Sequence, residues 1–216
     1  MPFLSQTNFP RLWLLMQKTI GGNADKKSLA VEHYDGQKRV LEIGCSVGNI
    51  SEVFTQFPGI SFTGIDIDGN ALTLARQRFA SIDNFRFTEI SLEKLSQMGE
   101  KFDYVLFAGI LHHVNDATAS RLLQFAHACL DSEATLVVYE PEAISSSDGW
   151  LLRIFCRLFE QGAFLRSRSE LVALVEAAGI SLEKIEDRNI SPGIVRRPFV
   201  ARFNLLKGRA RREKLA

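Results

Sequence analysis

Short runs of apolar residues alternate along the chain with longer stretches in which apolar residues recur every three or four positions. The short runs have the length and the β-branched or aromatic content of strands. Seven are predicted as strands, at residues 39–43, 60–66, 85–89, 104–107, 134–139, 182–187 and 194–203. The longer stretches have the spacing of helices that bury one face. The pattern therefore predicts alternating strands and helices.

The order of these segments predicts how the sheet is connected. Helices are expected between strands at residues 48–57, 70–79, 117–130 and 169–178. A strand, a helix and a second strand in succession form a right-handed crossover between parallel strands. The last two strands are joined by a turn containing Pro192-Gly193, which permits only an antiparallel return. The predicted fold class is α/β, a mostly parallel seven-stranded sheet with helices on both faces and a C-terminal antiparallel hairpin.

Three further regions lie outside or interrupt this alternation. Residues 1–37 are predicted as an N-terminal helical cap, because an apolar helical face is followed by a break at Gly21-Gly22. Residues 38–206 form the main domain, in which the aromatic-rich stretch 142–166 is either a lid-like insertion or ordinary core packing. Residues 207–216 are predicted as a solvated basic tail, since five lysines and arginines accompany one glutamate.

The composition excludes several classes of protein. Lys plus Arg number 26 against 25 Asp plus Glu, and the formal net charge of +1 gives no electrostatic reason to expect nucleic acid as a partner. No apolar run is long enough to cross a bilayer, so stable membrane insertion is not expected. The three cysteines are odd in number and far apart, which indicates free thiols in a reducing compartment. A cytoplasmic protein with a small-molecule substrate is the expectation.

A glycine-containing turn, Gly44-Cys45-Ser46-Val47-Gly48, lies where the first strand meets the following helix. Glycines there let backbone N–H groups approach a ligand, and a helix N-terminus favours a negative group. The dinucleotide fingerprint requires glycine at positions 44, 46 and 49, where this chain has Gly44, Ser46 and Asn49. A nucleotide-dependent oxidoreductase is therefore an alternative that has only one of the three fingerprint glycines.

The same turn also has the G-x-S-x-G form of a hydrolase nucleophile elbow, with Ser46 as the nucleophile. That fold needs a histidine after the nucleophile and the acid, near the end of the chain. The four histidines are His33, His112, His113 and His127. Since none lies in the last third of the chain, the sequence disfavours hydrolysis.

The segment Val40-Leu41-Glu42-Ile43-Gly44-Cys45-Ser46-Val47-Gly48 resembles the first motif of the class I S-adenosylmethionine-dependent methyltransferases. Ser46 stands where glycine is usual in that family. The segment Phe102 to Val114, which contains His112-His113, resembles the "FDVV…LHHV" motif of the small-molecule members. Together the matches cover roughly residues 38–141.

The resemblance implies a set of cofactor-binding residues. Asp66, at the end of the second strand, takes the position that binds the ribose hydroxyls, and Ile67 packs on the adenine. Ser91 stands where the family commonly has an aspartate for the adenine amino group. The residues implied to bind S-adenosylmethionine are Glu42, Gly44, Ser46, Gly48, Asp66, Ile67, Ser91, Leu92 and Phe107.

His112 and Glu140 are the candidate catalytic residues, because both follow strands at the edge where ligands of α/β sheets bind. The resemblance favours His112 over His113 as the group facing the substrate. As a hypothesis, His112 and Glu140 act together as the general base in methylation of an oxygen or nitrogen atom. The alternatives are two histidines that merely pack a loop and a solvated loop acid at Glu140. No metal ligand set is assigned.

The predicted function is a methyltransferase that transfers the methyl group of S-adenosylmethionine to an oxygen or nitrogen of a small, apolar or aromatic molecule. A non-catalytic binding or assembly protein that keeps the fold is the principal alternative, because Ser46 and Ser91 depart from the family pattern. A nucleotide-dependent oxidoreductase is the second alternative.

Overall fold

Seven strands form one mixed sheet in the computed structural model of the chain. The structure describes residues 23–144, 162–190 and 201–211 continuously, and residues 9, 11, 12, 14, 15, 18 and 150 individually. The strands are β1 (Arg39–Ile43), β2 (Ser61–Asp66), β3 (Phe85–Glu89), β4 (Phe102–Ala108), β5 (Leu130–Pro141), β6 (Ile180–Ile190) and β7 (Ala201–Ala210). Their order across the sheet is β3-β2-β1-β4-β5-β7-β6.

The pairing of the strands confirms the predicted topology. The first five strands are parallel to one another, while β7 lies antiparallel between β5 and β6. The order reverses at β1, which has β2 on one side and β4 on the other. Ligands of parallel α/β sheets bind at the carboxyl ends of the strands beside such a reversal. This edge therefore holds the candidate site.

Helices cover both faces of the sheet, as predicted. The α-helices are α1 (Asn23–Val31), α2 (Gly69–Arg78), α3 (Leu92–Gln97), α4 (Asp116–Cys129) and α5 (Arg168–Ala177). One face packs against α3, α4 and α5, with buried leucines such as Leu95, Leu123 and Leu171. The other packs against α1, α2 and a 3₁₀ helix at Ser51–Gln56, around the rings of Phe54, Phe62 and Tyr104. Each face thus buries its own apolar layer.

The helix predicted at residues 48–57 is wrong in type and in its start. Residues 46–50 form turns, and a six-residue 3₁₀ helix follows at Ser51–Gln56. Gly48 has a φ of 71°, which a right-handed helix cannot contain. No α-helix begins at Gly48, so the expectation that a helix N-terminus there favours a negative ligand is also wrong.

The predicted end of the last strand is wrong as well. β7 extends to Ala210, so the basic tail does not begin at residue 207. Lys207 pairs with Glu183 at 3.3 Å, and Arg209 pairs with Glu133 at 3.4 Å. These glutamates lie on the strands flanking β7, so the basic residues are neutralised across the sheet.

Several sequence predictions fall outside the described residues. They are most of the cap at 1–22, the interior of the 142–166 insertion, the turn at 191–200 and the tail at 212–216. Where the cap is described, α1 confirms a helix before the sheet. The two ends of the insertion are described and lie side by side, because Glu142 and Arg166 form a β-bridge.

Within the described parts of the chain, no helix combines the length and the apolar character needed to cross a membrane.

Candidate active site

The turn after β1 depends on two glycines in the left-handed region. Gly44 and Gly48 each have a φ of 71°. A Cβ atom on Gly44 would lie 2.3 Å from Cδ1 of Ile110, and one on Gly48 would lie 2.6 Å from the ring of Phe79. Both the backbone conformation and the close contacts therefore require glycine at these positions. The contact with Ile110 also brings the turn against the segment that carries His112.

Ser46 adopts the same left-handed conformation without being glycine. Its φ is 49°, the only positive value of a non-glycine residue among those described. Such a conformation costs an L-residue roughly 1–2 kcal/mol. The backbone N–H of Ser46 donates a 2.8 Å hydrogen bond to Oδ2 of Asp66, which holds the turn against the end of β2. The conformation explains physically why glycine suits this position.

The backbone N–H groups of the turn donate to acceptors within the protein. Gly44 and Cys45 both donate to the carbonyl of Ile65, at 2.8 and 3.0 Å, and Gly48 donates to the carbonyl of Cys45 at 2.9 Å. A pyrophosphate-binding turn instead directs such groups at the ligand. The geometry therefore argues against the dinucleotide interpretation of this turn.

Asp66 ends β2 and has a fixed carboxylate. Oδ1 accepts hydrogen bonds from the backbone N–H groups of Ile67 and Asp68, at 2.7 and 2.9 Å. With the bond from Ser46, three of about four acceptor positions of the carboxylate are used, which leaves capacity for a ligand hydroxyl. The adjacent Ile67 is 80% exposed, so its apolar side chain is open to a flat ring.

Glu42 lies beneath the turn and is 1% exposed. Its Oε2 accepts a 2.5 Å hydrogen bond from the hydroxyl of Ser51, which ties the 3₁₀ helix to β1. Burial raises the pKa of Glu42 to about 8, opposed by the Ser51 hydrogen bond and supported by the negative charge of Asp66. Glu42 is thus placed to fix the shape of the turn from below.

Three other residues that the resemblance implies as cofactor-binding have structural roles in the fold. Ser91 is the N-cap of α3 and accepts a 3.3 Å hydrogen bond from the N–H of Lys94. Leu92 and Phe107 are buried in the core, at 3% and 0% exposure. The structure does not bring these two side chains to the surface beside Asp66, and their roles in binding stay predictions.

His112 and Glu140 are in direct contact, as the hypothesis required. Nδ1 of His112 lies 2.7 Å from Oε2 of Glu140, and the two residues are 7% and 4% exposed. Glu140 is therefore not a solvated loop acid. Because an ionised carboxylate only accepts hydrogen bonds, Nδ1 of His112 carries the proton and donates to Glu140, and Nε2 is the basic nitrogen of the neutral ring.

His113 takes a different position from its neighbour. Its ring centroid is 4.0 Å from that of His112, with the planes tilted by 39°, and the residue is exposed. His113 is therefore not the histidine held at the buried carboxylate, and which of the two rings faces the substrate stays a prediction.

Two residues that the sequence did not single out contact this histidine or its turn. A Cβ on Gly162 would lie 2.0 Å from Cδ2 of His112, so the chain passes directly against the imidazole. Arg166, which is 7% exposed, donates to backbone carbonyls around His112. A glycine and an arginine some fifty residues beyond the histidine carry no local signal of this contact.

One other buried group lies on the same face of the sheet. Asn204 is 0% exposed and pairs in register with Glu140 on the neighbouring strand. Directly opposed residues of antiparallel strands project to one face. Neither amide atom of Asn204 has a hydrogen-bond partner in the described structure. Asn204 is therefore a buried polar residue near the His112–Glu140 pair that sequence reasoning missed.

Within the described residues, one group has the spacing of a metal site. Glu32, His33 and Glu186 place their ligand atoms within 4.8 Å of one another. Nε2 of His33 lies 3.1 Å from Oε2 of Glu186, and the guanidinium of Arg188 pairs with both glutamates. The arginine supplies the positive charge at this cluster, which joins the residues after α1 to β6.

The comparisons with known proteins agree with this geometry. Residues 40–133 match the family model described as "Methyltransferase domain". A Ubiquinone biosynthesis O-methyltransferase of Pseudomonas fluorescens (strain Pf0-1) is 36% identical over 84 residues, which cover 38% of this chain and 36% of that protein. The first curated relatives are thus matched over only 20% and 36% of their own length.

Solved structures share the fold over most of the chain. The pyocyanin biosynthetic protein PhzM has a TM-score of 0.70 at 20% identity, covering 93% of this chain and 58% of that one. CalO1, a methyltransferase in calicheamicin biosynthesis with SAH bound, has a TM-score of 0.65 at 16% identity, covering 88% and 54%. Likeness at this level of identity establishes the fold.

Proposed function

Since the chain carries a methyltransferase domain on the class I fold, we propose that it transfers a methyl group from S-adenosylmethionine to a small molecule. The cofactor supplies a methyl group already activated on a sulfonium, so the protein has to align the acceptor and exclude water. The turn at residues 44–48, Asp66 and Ile67 are the residues that would hold it. The glycine conformations, the fixed Asp66 carboxylate and the exposed Ile67 side chain fit this role.

The observation that carries the proposal is the contact between the two halves of the site. Ile110 packs against Gly44 of the turn, and its backbone N–H donates to Glu140 at 2.7 Å. The cofactor turn and the His112–Glu140 pair are therefore neighbours at one edge of the sheet. A binding protein without catalysis has no need of a buried base beside that turn.

We infer that the acceptor is a hydroxyl group. In this proposal Nε2 of His112 removes the hydroxyl proton during methyl transfer, while Glu140 stabilises the imidazolium through Nδ1. A neutral hydroxyl must lose its proton to form an ether, whereas a neutral amine can attack without a base. The name of the ubiquinone O-methyltransferase relative also supports oxygen as the acceptor.

The surroundings of the pair support an apolar or aromatic substrate. Phe164, whose backbone N–H donates to the carbonyl of His112 at 3.0 Å, has an aromatic side chain that is 41% exposed. The proposal places the reaction in the cytoplasm, because Cys45 and Cys129 are free thiols, which a reducing compartment maintains.

Methyl transfer from tritiated S-adenosylmethionine tests the proposal. Incubation with small-molecule extracts and a panel of phenols should label a low-molecular-weight product. With the acceptor identified, His112→Ala should lower kcat by about 10²–10⁴-fold, the range for a positioned general base. Unchanged turnover of His112→Ala at every pH from about 6 to 9, around the titration range of histidine, would remove the base role.

A further inference from the structure

A short 3₁₀ helix at Leu111–His113 carries His112 and is held at its start by one carboxylate. Glu140 accepts hydrogen bonds from the backbone N–H groups of Ile110 and Leu111, both at 2.7 Å, and of His112 at 3.2 Å. The imidazole contact at Nδ1 is the fourth. A carboxylate has about four acceptor positions, so this one is filled by a single turn of chain.

A guanidinium holds the other end of the same turn. Nη1 of Arg166 donates to the carbonyls of Leu111 and Phe164, at 2.6 and 3.2 Å, and Nη2 donates to the carbonyl of Val114 at 2.8 Å. The carboxylate of Asp116, in the first turn of α4, accepts from Nε at 2.9 Å and lies 2.8 Å from Nη2. All five N–H groups of the guanidinium are thus directed at oxygen atoms.

The two charges act on different backbone groups of a turn only five residues long. The first N–H groups and the last carbonyls of a helical segment are the groups left without partners inside it. Glu140 satisfies the first set, while Arg166 binds the carbonyl of Val114 at the end of the turn and that of Leu111 near its start. The chain entering Arg166 adds one more contact, since the N–H of Phe164 donates to the carbonyl of His112 at 3.0 Å.

The position of the imidazole follows from this arrangement. His112 is attached to the turn, and its ring is aligned on Glu140 by a single 2.7 Å contact. A displacement of the turn by about 1 Å would break that alignment, and misplacement of this size is enough to cost about 10²-fold in rate. Arg166 acts on the backbone of this turn, through the carbonyls of Leu111 and Val114.

We propose that Arg166 is a positioning residue for the reaction, which sets the orientation and tautomer of His112 through the backbone of residues 110–114. The inference rests on the proposed function for its link to catalysis. Its effect on the imidazole can be measured without a substrate. Lysine cannot replace arginine fully, because an ammonium has three donors where the guanidinium uses five.

The test compares Arg166→Gln, Arg166→Lys and the control Arg168→Gln. Arg168 is a partly exposed arginine two positions further along the chain, and its guanidinium pairs with Asp187 on β6. Nitrogen-15 NMR of the histidine rings, assigned with His112→Gln, reports which nitrogen carries the proton. The wild type and Arg168→Gln should show one fixed tautomer with the proton on Nδ1. Arg166→Gln should show an averaged signal, and Arg166→Lys an intermediate one.

Kinetics add the second readout. Once an acceptor is known, Arg166→Gln should lower kcat by about 10–100-fold with little change in KM for S-adenosylmethionine, since the cofactor turn is untouched. A folded Arg166→Gln variant with the wild-type tautomer and wild-type kcat would overturn the proposal. If Arg166→Gln does not fold, Arg166→Lys decides by the same two measurements. Absence of S-adenosylmethionine binding by the wild type would refute the proposed function alone, and the tautomer comparison would still test Arg166.

Discussion

Two buried glutamates at the edge of the sheet have different surroundings. Glu140 is encircled by four N–H donors, which match the acceptor-only form of a carboxylate. Glu42 accepts a hydroxyl hydrogen bond from Ser51, and its burial raises its pKa to about 8. The same type of residue thus serves to orient an imidazole in one place and to support a turn as a neutral acid in the other.

The raised pKa of Glu42 makes stability depend on pH. An unfolded glutamate has a pKa of about 4.3, so between that value and about 8 the folded protein holds a proton that the unfolded chain has lost. Stability then falls as the pH rises through this window. Glu42→Gln, which mimics the protonated acid, should match the wild type near pH 3.5, below both pKa values. It should be more stable by at least about 1.4 kcal/mol near pH 8.5, the equivalent of one pKa unit.

Urea unfolding at the two pH values measures this difference. Glu133→Gln serves as the control, because that glutamate is 62% exposed and lies away from the turn. Its effect should be within about 0.5 kcal/mol at both pH values. A Glu42→Gln variant that is less stable than the wild type near pH 8.5 would show that folding favours the charged carboxylate and does not raise the pKa of Glu42.

The left-handed conformation of Ser46 predicts an unusual order of stability among variants at this position. Ser46→Gly removes a backbone cost of roughly 1–2 kcal/mol and adds an entropic cost of about 0.5–1 kcal/mol. The variant should therefore be as stable as the wild type or slightly more stable. Ser46→Val should lose more than about 1 kcal/mol, because β-branched residues avoid this region. Thermal unfolding checks the order, and a Val variant as stable as the Gly variant would contradict it.

At the level of residues, the candidate site residues that could be predicted from the sequence are those with a recognisable motif around them. His112 and Glu140 follow the ends of predicted strands, so their contact could be expected from the topology. Arg166 could not, because its partners at residues 111–116 lie some fifty positions away and no motif marks a buried arginine. Phe107, a residue inside a recognised motif, lies in the core, and its role in binding stays a prediction.

At the level of elements, β1 and β3 lie at the predicted residues, because each is a short apolar run bounded by turn residues. The segment after β1 was misassigned, since left-handed Gly44, Ser46 and Gly48 delay the helix to Ser51. The predicted end of β7 is too early, because the basic residues of its second half are typical of a solvated tail. Backbone pairing with β5 and β6 makes that half part of the sheet, and glutamates of the same two strands neutralise its charges.

The central position of β7 predicts a sensitive glycine. A Cβ on Gly208 would lie 2.6 Å from Cγ2 of Ile180 and 2.8 Å from the backbone oxygen of Ser181. Gly208→Ala should therefore lower the free energy of unfolding by about 1–3 kcal/mol through strain in the hairpin. The surface control Arg209→Ala should change it by less than about 1 kcal/mol. Urea unfolding measures both, and an Ala variant equal to the wild type would contradict the close packing of β6 on β7.

At the level of the whole molecule, the site combines segments that are distant along the chain. The turn after β1 and the end of β2 lie within the matched methyltransferase region at residues 40–133. Glu140 and Arg166 lie beyond it and contact the residues around His112 from the C-terminal part of the fold. We infer that the matched region serves the cofactor and that the part beyond it shapes the acceptor side.

The proposed function requires that the turn after β1 binds S-adenosylmethionine. Calorimetric titration of the full chain with S-adenosylmethionine and S-adenosylhomocysteine, beside NAD, measures this binding. We expect saturable binding of both sulfur compounds, no binding of NAD, and a weakening of at least about tenfold in Asp66→Ala, equivalent to about 1.4 kcal/mol. NAD binding without any heat from S-adenosylmethionine at millimolar concentration would contradict it.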